Sequence, residues 1–367
     1  MTTVLLAGGG TGGHLMPALA IAQQLQARHP DWRIVFAGAE RGIEATVLPE
    51  RGLPHRLFPF EPIHRRQWWR NVKWPLLAWR VARAVDRMLD DERPALVIGT
   101  GGYVSGPVVW RAARRGIPTA ILELDVLPGF ATRRAAPMVQ EIWTASPEGL
   151  AALGPGAAAR GRVTGAPITP PDPTRRDAAR QKFGLTDDRP VLVMTGGSQG
   201  SLAMNRLIAD WLRDGGVANA HLIWATGRGT YQEFAHHHLP PDVTVVPFLD
   251  PMADAWAVAD LCVARAGMMT LAELCAWGIP SVLVPLPTAA ADHQRHNAEA
   301  MAAAGASVVL EQAGLTAQHL GDTLTALLAD APRRAAMAAD ARRRGKPDAA
   351  RQIAERCELL IASGASS

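Results

Sequence analysis

The sequence predicts an α/β protein of two units, each built around a parallel sheet. The apolar run Val4–Ala7 is typical of a buried parallel strand, and the glycine-rich turn Gly8–His14 follows it directly. An amphipathic helix is then expected over 17–28, and the same order of strand, glycine-rich turn and helix returns over 191–212. A chain of 367 residues also suits two domains of this size. We therefore predict two Rossmann-like, doubly wound domains.

A tract rich in Gly, Pro and Ala between Gly154 and Pro173 predicts a linker between these domains. We place the first domain at 1–163 and the second at 164–345. A last predicted helix falls within 346–367, and we expect it to pack back on the first domain.

The stretch 264–297 combines a small-residue loop, a helix, a buried strand and a polar turn. Thr270 is a predicted helix cap, with Glu273 at capping-box spacing. Ligands of open α/β sheets bind at the carboxyl ends of the strands. A helix start suits an anion, Glu273 suits a pair of ribose hydroxyls, and Gln294 with Asn297 suits a sugar. The stretch predicts a nucleotide-sugar site, and the alternative is an ordinary βαβ unit with a polar surface turn.

In the first glycine-rich turn, Gly8, Gly10 and Gly13 satisfy GxGxxG, a pattern that lets backbone approach a phosphate. A dinucleotide-binding dehydrogenase is one alternative here, with Glu40 as its ribose carboxylate. His14 is not typical of that fingerprint. Beside a phosphate-type loop at the edge of a sheet, it is a candidate general base.

Composition narrows the class of protein. Hydrophobic residues make up 48% of the chain and the mean hydropathy is +0.01, which predicts a soluble globular protein. No apolar run approaches the roughly 20 residues of a membrane-spanning helix, and no secretory signal is evident. The spacing of Cys262, Cys275 and Cys357 is not that of metal ligands, so we expect reduced, buried thiols in a cytoplasmic protein. We interpret His236–His238 as a solvated helix end, because consecutive residues of a helix cannot all face one ion.

Charge is distributed unevenly along the chain. Residues 1–165 carry 20 Lys and Arg against 13 Asp and Glu, whereas 166–367 carry 18 against 21. Four of the eleven tryptophans fall within 63–87, among seven lysine and arginine residues. Tryptophan beside arginine is typical of binding to an anionic membrane surface through 63–87, without spanning it. The alternative is buried tryptophans beside a solvated basic face, and nucleic acid is the poorer guess because no recognition module is present.

Five motifs, taken together in their order and spacing, indicate a particular family. They are GGGTGGHLMPALAIAQQL, GGYVSGP, GGSQGS, ARAGMMTLAE and PLPTAAADHQRHNA. Together they closely resemble the MurG family of glycosyltransferase family 28, over nearly the whole chain. The resemblance implies the GT-B fold, with two Rossmann-like domains facing a central cleft. It implies transfer of N-acetylglucosamine from UDP-GlcNAc to undecaprenyl-pyrophosphoryl-N-acetylmuramoyl-pentapeptide (lipid I), giving lipid II for peptidoglycan. It also implies a peripheral enzyme on the cytoplasmic face of the inner membrane, where Trp110 would join the Trp/Arg stretch.

The resemblance assigns the acceptor side to the first loop. It associates this loop with the acceptor diphosphate and with catalysis, through Thr11, Gly12, Gly13 and His14. Where the family usually reads HEQN, this chain has 122–125, Leu-Glu-Leu-Asp. An amide has thereby become the carboxylate of Asp125, which could bind substrate and accept a proton.

The resemblance assigns the donor side to the second domain. Ser198 and Gln199 match a loop near the donor phosphates, and Leu249 matches an aliphatic residue against uracil. Met269 and Thr270 lie at a helix start near the phosphates, Glu273 matches the ribose carboxylate, and the contacts to the GlcNAc hydroxyls fall on Gln294 and Asn297. Where the family reads GNPVR, this chain has 165–169, Gly-Ala-Pro-Ile-Thr, so a phosphate-facing arginine is absent. Arg265 or Arg175 could replace it.

The hypothesis is an inverting transfer in one displacement, with His14 or Asp125 as the base. We expect no metal or other cofactor, because no DxD carboxylate pair lies near the donor turn. Two alternatives remain open at this point. One is a related transferase with another lipid or natural-product acceptor, and the other is a non-catalytic UDP-sugar-binding scaffold at the membrane.

Overall fold

The structure is a computed structural model that describes residues 1–59, 74–217 and 219–364. It divides into two compact units. The first comprises 1–169 and the C-terminal residues from 348 onward, and the second comprises 170–347.

The first unit holds a seven-stranded sheet in the order β3-β2-β1-β4-β5-β6-β7, and all neighbouring strands are parallel. Its strands are β1 Thr3–Gly8, β2 Arg33–Ala39, β3 His55–Phe58, β4 Leu96–Gly101, β5 Thr119–Glu123, β6 Glu141–Thr144 and β7 Gly161–Val163. Its helices are α1 Gly12–Arg28, α2 Glu44–Glu50, α3 Trp74–Glu92, α4 Gly102–Arg114, α5 Phe130–Ala135, α6 Pro147–Ala152, α7 Pro155–Ala158 and, last in the chain, α16 Ala349–Gly364.

The second unit holds a six-stranded parallel sheet in the order β10-β9-β8-β11-β12-β13. Its strands are β8 Val191–Thr195, β9 His221–Ala225, β10 Val243–Val246, β11 Leu261–Ala264, β12 Ser281–Leu283 and β13 Ser307–Val309. Its helices are α8 Arg176–Lys182, α9 Leu202–Arg213, α10 Tyr231–Phe234, α11 Met252–Val258, α12 Met268–Trp277, α13 His293–Ala303, α14 Ala317–Ala329 and α15 Ala331–Arg344. Two parallel-sheet units of this kind confirm the predicted fold class.

Burial explains why these runs form strands and helices. Strands β1 and β8 are buried along their whole length, as expected of central strands covered on both faces. Helix α9 buries Met204, Ile208 and Trp211, whose spacing places them on one face against the sheet. Helix α16 belongs to the first unit, where Glu358 accepts hydrogen bonds from Arg28 Nε at 2.7 Å and Arg28 Nη2 at 3.0 Å.

The three cysteines are free and buried, as predicted. Burial raises the pKa of each thiol, that of Cys275 to about 11. His236 is exposed at the end of a short 3-10 helix, whereas His237 packs near the Trp224 ring, with 5.7 Å between centroids. The predicted cap at Thr270 is wrong, since α12 begins at Met268, behind Gly267. That position places Thr270 inside the first turn, where its side chain cannot reach forward as an N-cap does.

Candidate functional site

Each sheet reverses its strand order at one point, and the candidate residues lie at those two points. In the first unit the reversal falls between β1 and β4, and in the second between β8 and β11. At such a switch point the loops on either side lead away in opposite directions and leave a crevice at the carboxyl ends of the strands. Ligands of open α/β sheets bind in that crevice, so each unit has one preferred site.

In the first unit, the site is built around the His14 ring in the first turn of α1. Thr11 Oγ1 lies 3.2 Å from His14 Nδ1, and Thr100 Oγ1 donates to the His14 carbonyl at 2.9 Å. Thr11 and Gly13 are exposed, while Gly12 and His14 are half-buried. The glycine loop after β1 therefore presents a histidine that is held from both sides and still reaches solvent.

The second glycine-rich turn of this unit packs against the His14 ring. Gly101 and Gly102 have positive φ angles of 103° and 77°. An added Cβ would lie 2.5 Å from His14 Cδ2 at Gly101, and 3.1 Å from His14 Nδ1 at Gly102. Only glycine meets both demands, the positive φ and the close approach of the ring. The sequence carried this signal as GGY, but the pairing of this turn with His14 depends on β1 and β4 being neighbours.

Asp125 lies in the loop after β5 and is half-buried. A buried carboxylate, Glu123, holds that loop by accepting from Asp125 N at 3.1 Å and from Gly129 N at 3.0 Å. Burial raises the pKa of Glu123, while the Thr132 side chain and the Gly129 amide act in the opposite direction. Glu123 was not among the site residues predicted from the sequence. An acidic residue at the end of an otherwise apolar strand is the signal that could have found it.

A second buried carboxylate, that of Glu44, argues against a dinucleotide-binding dehydrogenase. Glu44 accepts from Gly10 N at 2.9 and 3.0 Å, so this loop amide already faces an internal anion. Glu40, the ribose carboxylate of that alternative, is exposed. A dinucleotide pyrophosphate would have to compete with Glu44 for this N–H group, which argues against that mode of binding.

In the second unit, the loop after β8 carries Ser198 and Gln199 at its exposed tip. The loop is tightly folded, because an added Cβ at Gly200 would lie 2.2 Å from the Thr226 carbonyl oxygen. It ends at Ser201, whose Oγ accepts from Met204 N at 3.4 Å and caps α9. The loop thus offers side chains and backbone at the carboxyl end of the central strand.

Arg265 lies just after β11, on the other side of this switch point, and is only 8% exposed. Its Nη1 donates to the carbonyls of Val284 at 3.0 Å and Pro285 at 3.1 Å. Its Nη2 donates to Ser201 Oγ at 2.8 Å and Gln312 Oε1 at 2.5 Å. Burial lowers its pKa to about 10, so the guanidinium is still charged at neutral pH.

All four hydrogen-bond acceptors of Arg265 are neutral. Within the described residues, no carboxylate forms an ion pair with its guanidinium. A buried charge is normally paired with an opposite charge. The second site therefore contains a positive charge that the described part of the protein leaves without a neutralising carboxylate. Arg175, the other arginine considered, instead pairs with Asp254 at 2.9 Å.

The start of α12 faces the same crevice. Met268, Met269 and Thr270 form its first turn and are half-buried. The first amides of a helix have no intrahelical partner and carry partial positive charge, so this turn favours an anion. One turn further on, Glu273 Oε2 accepts from Trp256 Nε1 at 2.9 Å. Burial raises the pKa of Glu273, and the Trp256 hydrogen bond lowers it.

Leu249 is 6% exposed and belongs to the same core cluster as Trp256. Its neighbour Phe248 is exposed after β10, with the Arg228 guanidinium 5.4 Å from the ring centroid. Neither Phe248 nor Arg228 was among the site residues predicted from the sequence. An exposed aromatic residue directly after a strand is a signal that could have found the pair.

The side-chain amides of Gln294 and Asn297, in the predicted polar turn, form hydrogen bonds with the backbone. Gln294 Oε1 accepts from Leu286 N at 3.1 Å, and its side chain is half-buried. Asn297 is fully buried, and its Nδ2 donates to the Ala266 carbonyl at 3.2 Å. Gln294 thus holds the backbone that follows β12, while Asn297 supports the loop between β11 and α12.

The basic aromatic surface predicted over 63–87 lies partly outside the described residues, which omit 60–73 and the side chains of 74–78. The described part continues over three helices. Trp79 on α3 is 53% exposed, Trp110 on α4 is 37% exposed and Phe130 on α5 is 61% exposed. Each lies under an arginine: the distances to the ring centroids are 4.1 Å for Arg83, 4.8 Å for Arg114 and 5.4 Å for Arg134.

The described residues form neither a metal site nor a membrane-spanning helix. No group of three His, Cys, Asp or Glu side chains is placed to hold a metal ion within 1–59, 74–217 and 219–364. Over the same ranges, no helix has the length and apolar character needed to cross a membrane.

Comparison with known proteins gives matches over both units. Residues 4–144 match the model of the glycosyltransferase family 28 N-terminal domain, and 191–353 match that of its C-terminal domain. The chain is 37% identical to a protein of Carboxydothermus hydrogenoformans, over 98% of this chain and 97% of that one. It is 40% identical to a protein of Salinibacter ruber, over 96% and 95%. Both are named UDP-N-acetylglucosamine--N-acetylmuramyl-(pentapeptide) pyrophosphoryl-undecaprenol N-acetylglucosamine transferase.

Among solved structures, the chain is similar to MurG of Acinetobacter baumannii. The TM-score is 0.77 at 26% sequence identity, covering 98% of this chain and all of that one.

Proposed function

The chain belongs to glycosyltransferase family 28, and on that premise we propose that it is a UDP-GlcNAc-dependent transferase that makes lipid II. It moves N-acetylglucosamine from UDP-GlcNAc to the muramoyl sugar of undecaprenyl-pyrophosphoryl-N-acetylmuramoyl-pentapeptide. The observation that carries this function is identity of 37% and 40%, over nearly the full length, to two transferases of that name. The GT-B fold, with a candidate site in each unit, agrees with it.

We assign the donor to the second unit because the charges there suit a nucleoside diphosphate. The buried Arg265 cation and the start of α12 both favour an anion, and Ser198 with Gln199 can contact it from the loop tip. Glu273 Oε2 is taken by Trp256, which leaves its other carboxylate oxygen for a ribose hydroxyl. Met269 and Thr270 would lie against the phosphates.

The remaining donor contacts follow from the same placement. Leu249 and Phe248 supply apolar surface for uracil, and Gln294 supplies an amide for the GlcNAc hydroxyls. Asn297 acts through Ala266, whose carbonyl it holds. Arg265 takes the part of the missing phosphate-facing arginine by its charge and through the loops that it joins, since its Nη atoms are engaged by protein acceptors.

We assign the acceptor diphosphate to the first unit, near Thr11, Gly12 and Gly13. The acceptor hydroxyl attacks the anomeric carbon of UDP-GlcNAc in one displacement, with inversion, and UDP leaves. His14 or Asp125 takes the hydroxyl proton. The Thr11 hydroxyl beside His14 Nδ1 orients the ring. In the tautomer that donates from Nδ1 to this hydroxyl, Nε2 is the nitrogen that accepts the proton. Departure of UDP is assisted by the positive charge of Arg265 and needs no metal in this scheme.

We further propose that the first unit docks on an anionic membrane surface at the cytoplasmic face of the inner membrane. Trp79, Trp110 and Phe130, each with its arginine, form an exposed aromatic and basic surface that suits lipid headgroups. Such a surface would bring the enzyme to its polyprenyl-linked acceptor. We propose no nucleic-acid partner.

The test is release of UDP from UDP-GlcNAc, with and without a lipid I analogue in detergent, together with transfer of radiolabelled sugar. Acceptor-dependent release with label on the lipid is the expected result. Release only with another lipid or natural-product acceptor would support a related transferase. Tight UDP binding without turnover on any acceptor would support a scaffold protein. Either of these two results would contradict the proposed function.

A further inference from the structure

Glu44, the first residue of α2, is a carboxylate with no exposed surface. Its Oε1 accepts from Gly10 N at 3.0 Å and Ala39 N at 2.8 Å, and its Oε2 accepts from Gly10 N at 2.9 Å. All of these partners are backbone amides, and within the described residues no cation is paired with it. Burying an unpaired carboxylate is costly, so its presence below a substrate loop calls for a function.

The surroundings of Glu44 are shaped to fit one carboxylate. An added Cβ would lie 2.0 Å from its Oε1 at Gly9, 2.5 Å from its Cγ at Gly38 and 2.2 Å from its Oε2 at Gly42. These glycines come from the loop after β1, from β2 and from the turn before α2. In each of three separate segments, a glycine thus leaves the space that the Glu44 side chain occupies.

The amide that Glu44 holds belongs to Gly10, the residue directly before the Thr11 hydroxyl that contacts His14. Gly10 has a positive φ of 91°, and its other side is closed by Tyr103, because an added Cβ would lie 2.7 Å from Tyr103 Cε1. The next residue, Thr11, lies 3.2 Å through its Oγ1 from His14 Nδ1. Fixing Gly10 between a carboxylate and an aromatic ring therefore fixes the hydroxyl that orients the His14 ring.

We propose that Glu44 is a positioning residue for the acceptor site, a built-in anion that keeps the first glycine loop in the conformation that presents His14. This inference rests on the proposed function. A glycine loop of this kind folds around an external phosphate in nucleotide-binding proteins, and here Glu44 replaces that phosphate permanently. Loss of the carboxylate should impair use of the acceptor and leave donor binding in the other unit unchanged.

The test uses the full chain with Glu44→Ala, Glu44→Gln and, as a matched control on the same helix, the exposed Glu50→Ala. We expect Glu44→Ala to lower kcat/KM for the lipid I analogue by about 10²-fold, the loss typical of a displaced catalytic group. The Kd for UDP should stay at the parent value. Formate supplies the carboxylate that this variant lacks, so it should restore activity to Glu44→Ala but not to His14→Ala. Glu44→Gln keeps the shape and one acceptor oxygen, so its loss should be intermediate.

Hydrogen exchange followed by mass spectrometry gives a readout that does not depend on turnover. In Glu44→Ala, the peptide covering 8–15 should lose protection and regain it with formate, while peptides of the second unit stay unchanged. If Glu44→Ala keeps parent activity and parent protection of 8–15, or if formate restores neither, the inference is wrong. If the parent itself transfers no sugar to a polyprenyl-linked acceptor, the proposed function fails instead, and the exchange data still decide whether Glu44 holds the loop.

Discussion

Arg265 Nη2 donates a hydrogen bond of 2.8 Å to Ser201 Oγ, and this bond joins the two loops that flank the switch point of the second sheet. Ser201 caps α9 after the loop that carries Ser198 and Gln199, whereas Arg265 precedes the start of α12. The same guanidinium also holds Pro285 and Gln312. One buried cation therefore organises four segments around the place where the donor diphosphate is expected.

Replacing Arg265 should weaken diphosphate binding in particular. We expect Arg265→Met to raise the Kd for UDP by about 10- to 100-fold, because the positive charge near the phosphates and the hydrogen bonds that hold the loops are both lost. The Kd for uridine should change much less, because uridine carries no phosphate. Arg265→Lys should recover part of the loss by keeping the charge. Calorimetry on both ligands provides the comparison, with the exposed Arg333→Met as the control. Equal losses for UDP and uridine would contradict an electrostatic role.

The base can be identified by separate substitution of the two candidates. Loss of a general base typically lowers turnover by about 10²- to 10⁴-fold. We expect His14→Ala to show such a loss in kcat, because its ring is held by Thr11 and by the Gly101–Gly102 backbone. Asp125→Asn should have a smaller effect if the carboxylate only binds substrate, and an effect of the same size if it is the base. Steady-state kinetics with the lipid I analogue, with Asp322→Asn as an exposed control, distinguish these outcomes. Turnover close to the parent in both variants would eliminate both residues.

The ion pair between Glu358 on α16 and Arg28 on α1 should make the thermal stability of the first unit decrease in acid. Hydrogen bonds from Arg28 and His29 hold the pKa of Glu358 at about 2, whereas the pKa of an unfolded glutamate is about 4.3. A carboxyl group whose pKa is lowered by folding stabilises the protein above the unfolded pKa, and that contribution is lost as the pH falls toward the folded pKa. We therefore expect Glu358→Gln to lower the Tm at pH 7 and to match the parent near pH 2. Calorimetry across this range is the measurement, and a difference in Tm that does not change with pH would contradict the assignment.

Membrane binding should depend on the exposed aromatic residues and on lipid charge. We expect Trp79→Ala, Trp110→Ala and Phe130→Ala together to lower partitioning onto vesicles of anionic phospholipid by about tenfold or more, since each large aromatic side chain contributes on the order of 1 kcal/mol or more when buried. Partitioning of the parent should weaken with salt and be slight on zwitterionic vesicles. Vesicle sedimentation provides the measurement, and Leu359→Ala, exposed on α16, is the control. Binding that is insensitive to lipid charge would contradict this surface.

The strands were the most predictable part of this protein. The run Val4–Ala7, predicted as a buried parallel strand, lies within β1 Thr3–Gly8, which is buried along its whole length. Such runs are recognisable because a strand covered on both faces has no polar positions to interrupt it. The glycine loops were predictable for a similar reason, since positive φ angles and close backbone approach both require glycine.

What could not be predicted are the contacts that hold the loops. Glu44 reaches Gly10, and Arg265 reaches Ser201, only because parallel strands distant in sequence are neighbours in the sheet. Thr270 satisfied the local rule for a helix cap, but the loop behind β11 already begins the helix at Met268. Local spacing thus identified the candidate residues, whereas the tertiary structure decides which of them hold the loops and which can reach a ligand.

Glu273 should control recognition of the ribose. Its Oε2 accepts from Trp256 Nε1 at 2.9 Å, which fixes the carboxylate and leaves Oε1 to accept from ribose hydroxyls. In Glu273→Gln, the amide oxygen must face the Trp256 N–H, so the amide NH₂ group faces the ribose and can no longer accept. We expect the Kd for UDP to rise by about tenfold or more, the value of a hydrogen bond to a charged group. The parent should bind UDP more tightly than 2′,3′-dideoxy-UDP, and Glu273→Gln should bind the two almost equally. Competition binding with both ligands gives that ratio, with the exposed Glu233→Gln as the control. If Glu273→Gln discriminates between them as the parent does, the ribose is recognised elsewhere.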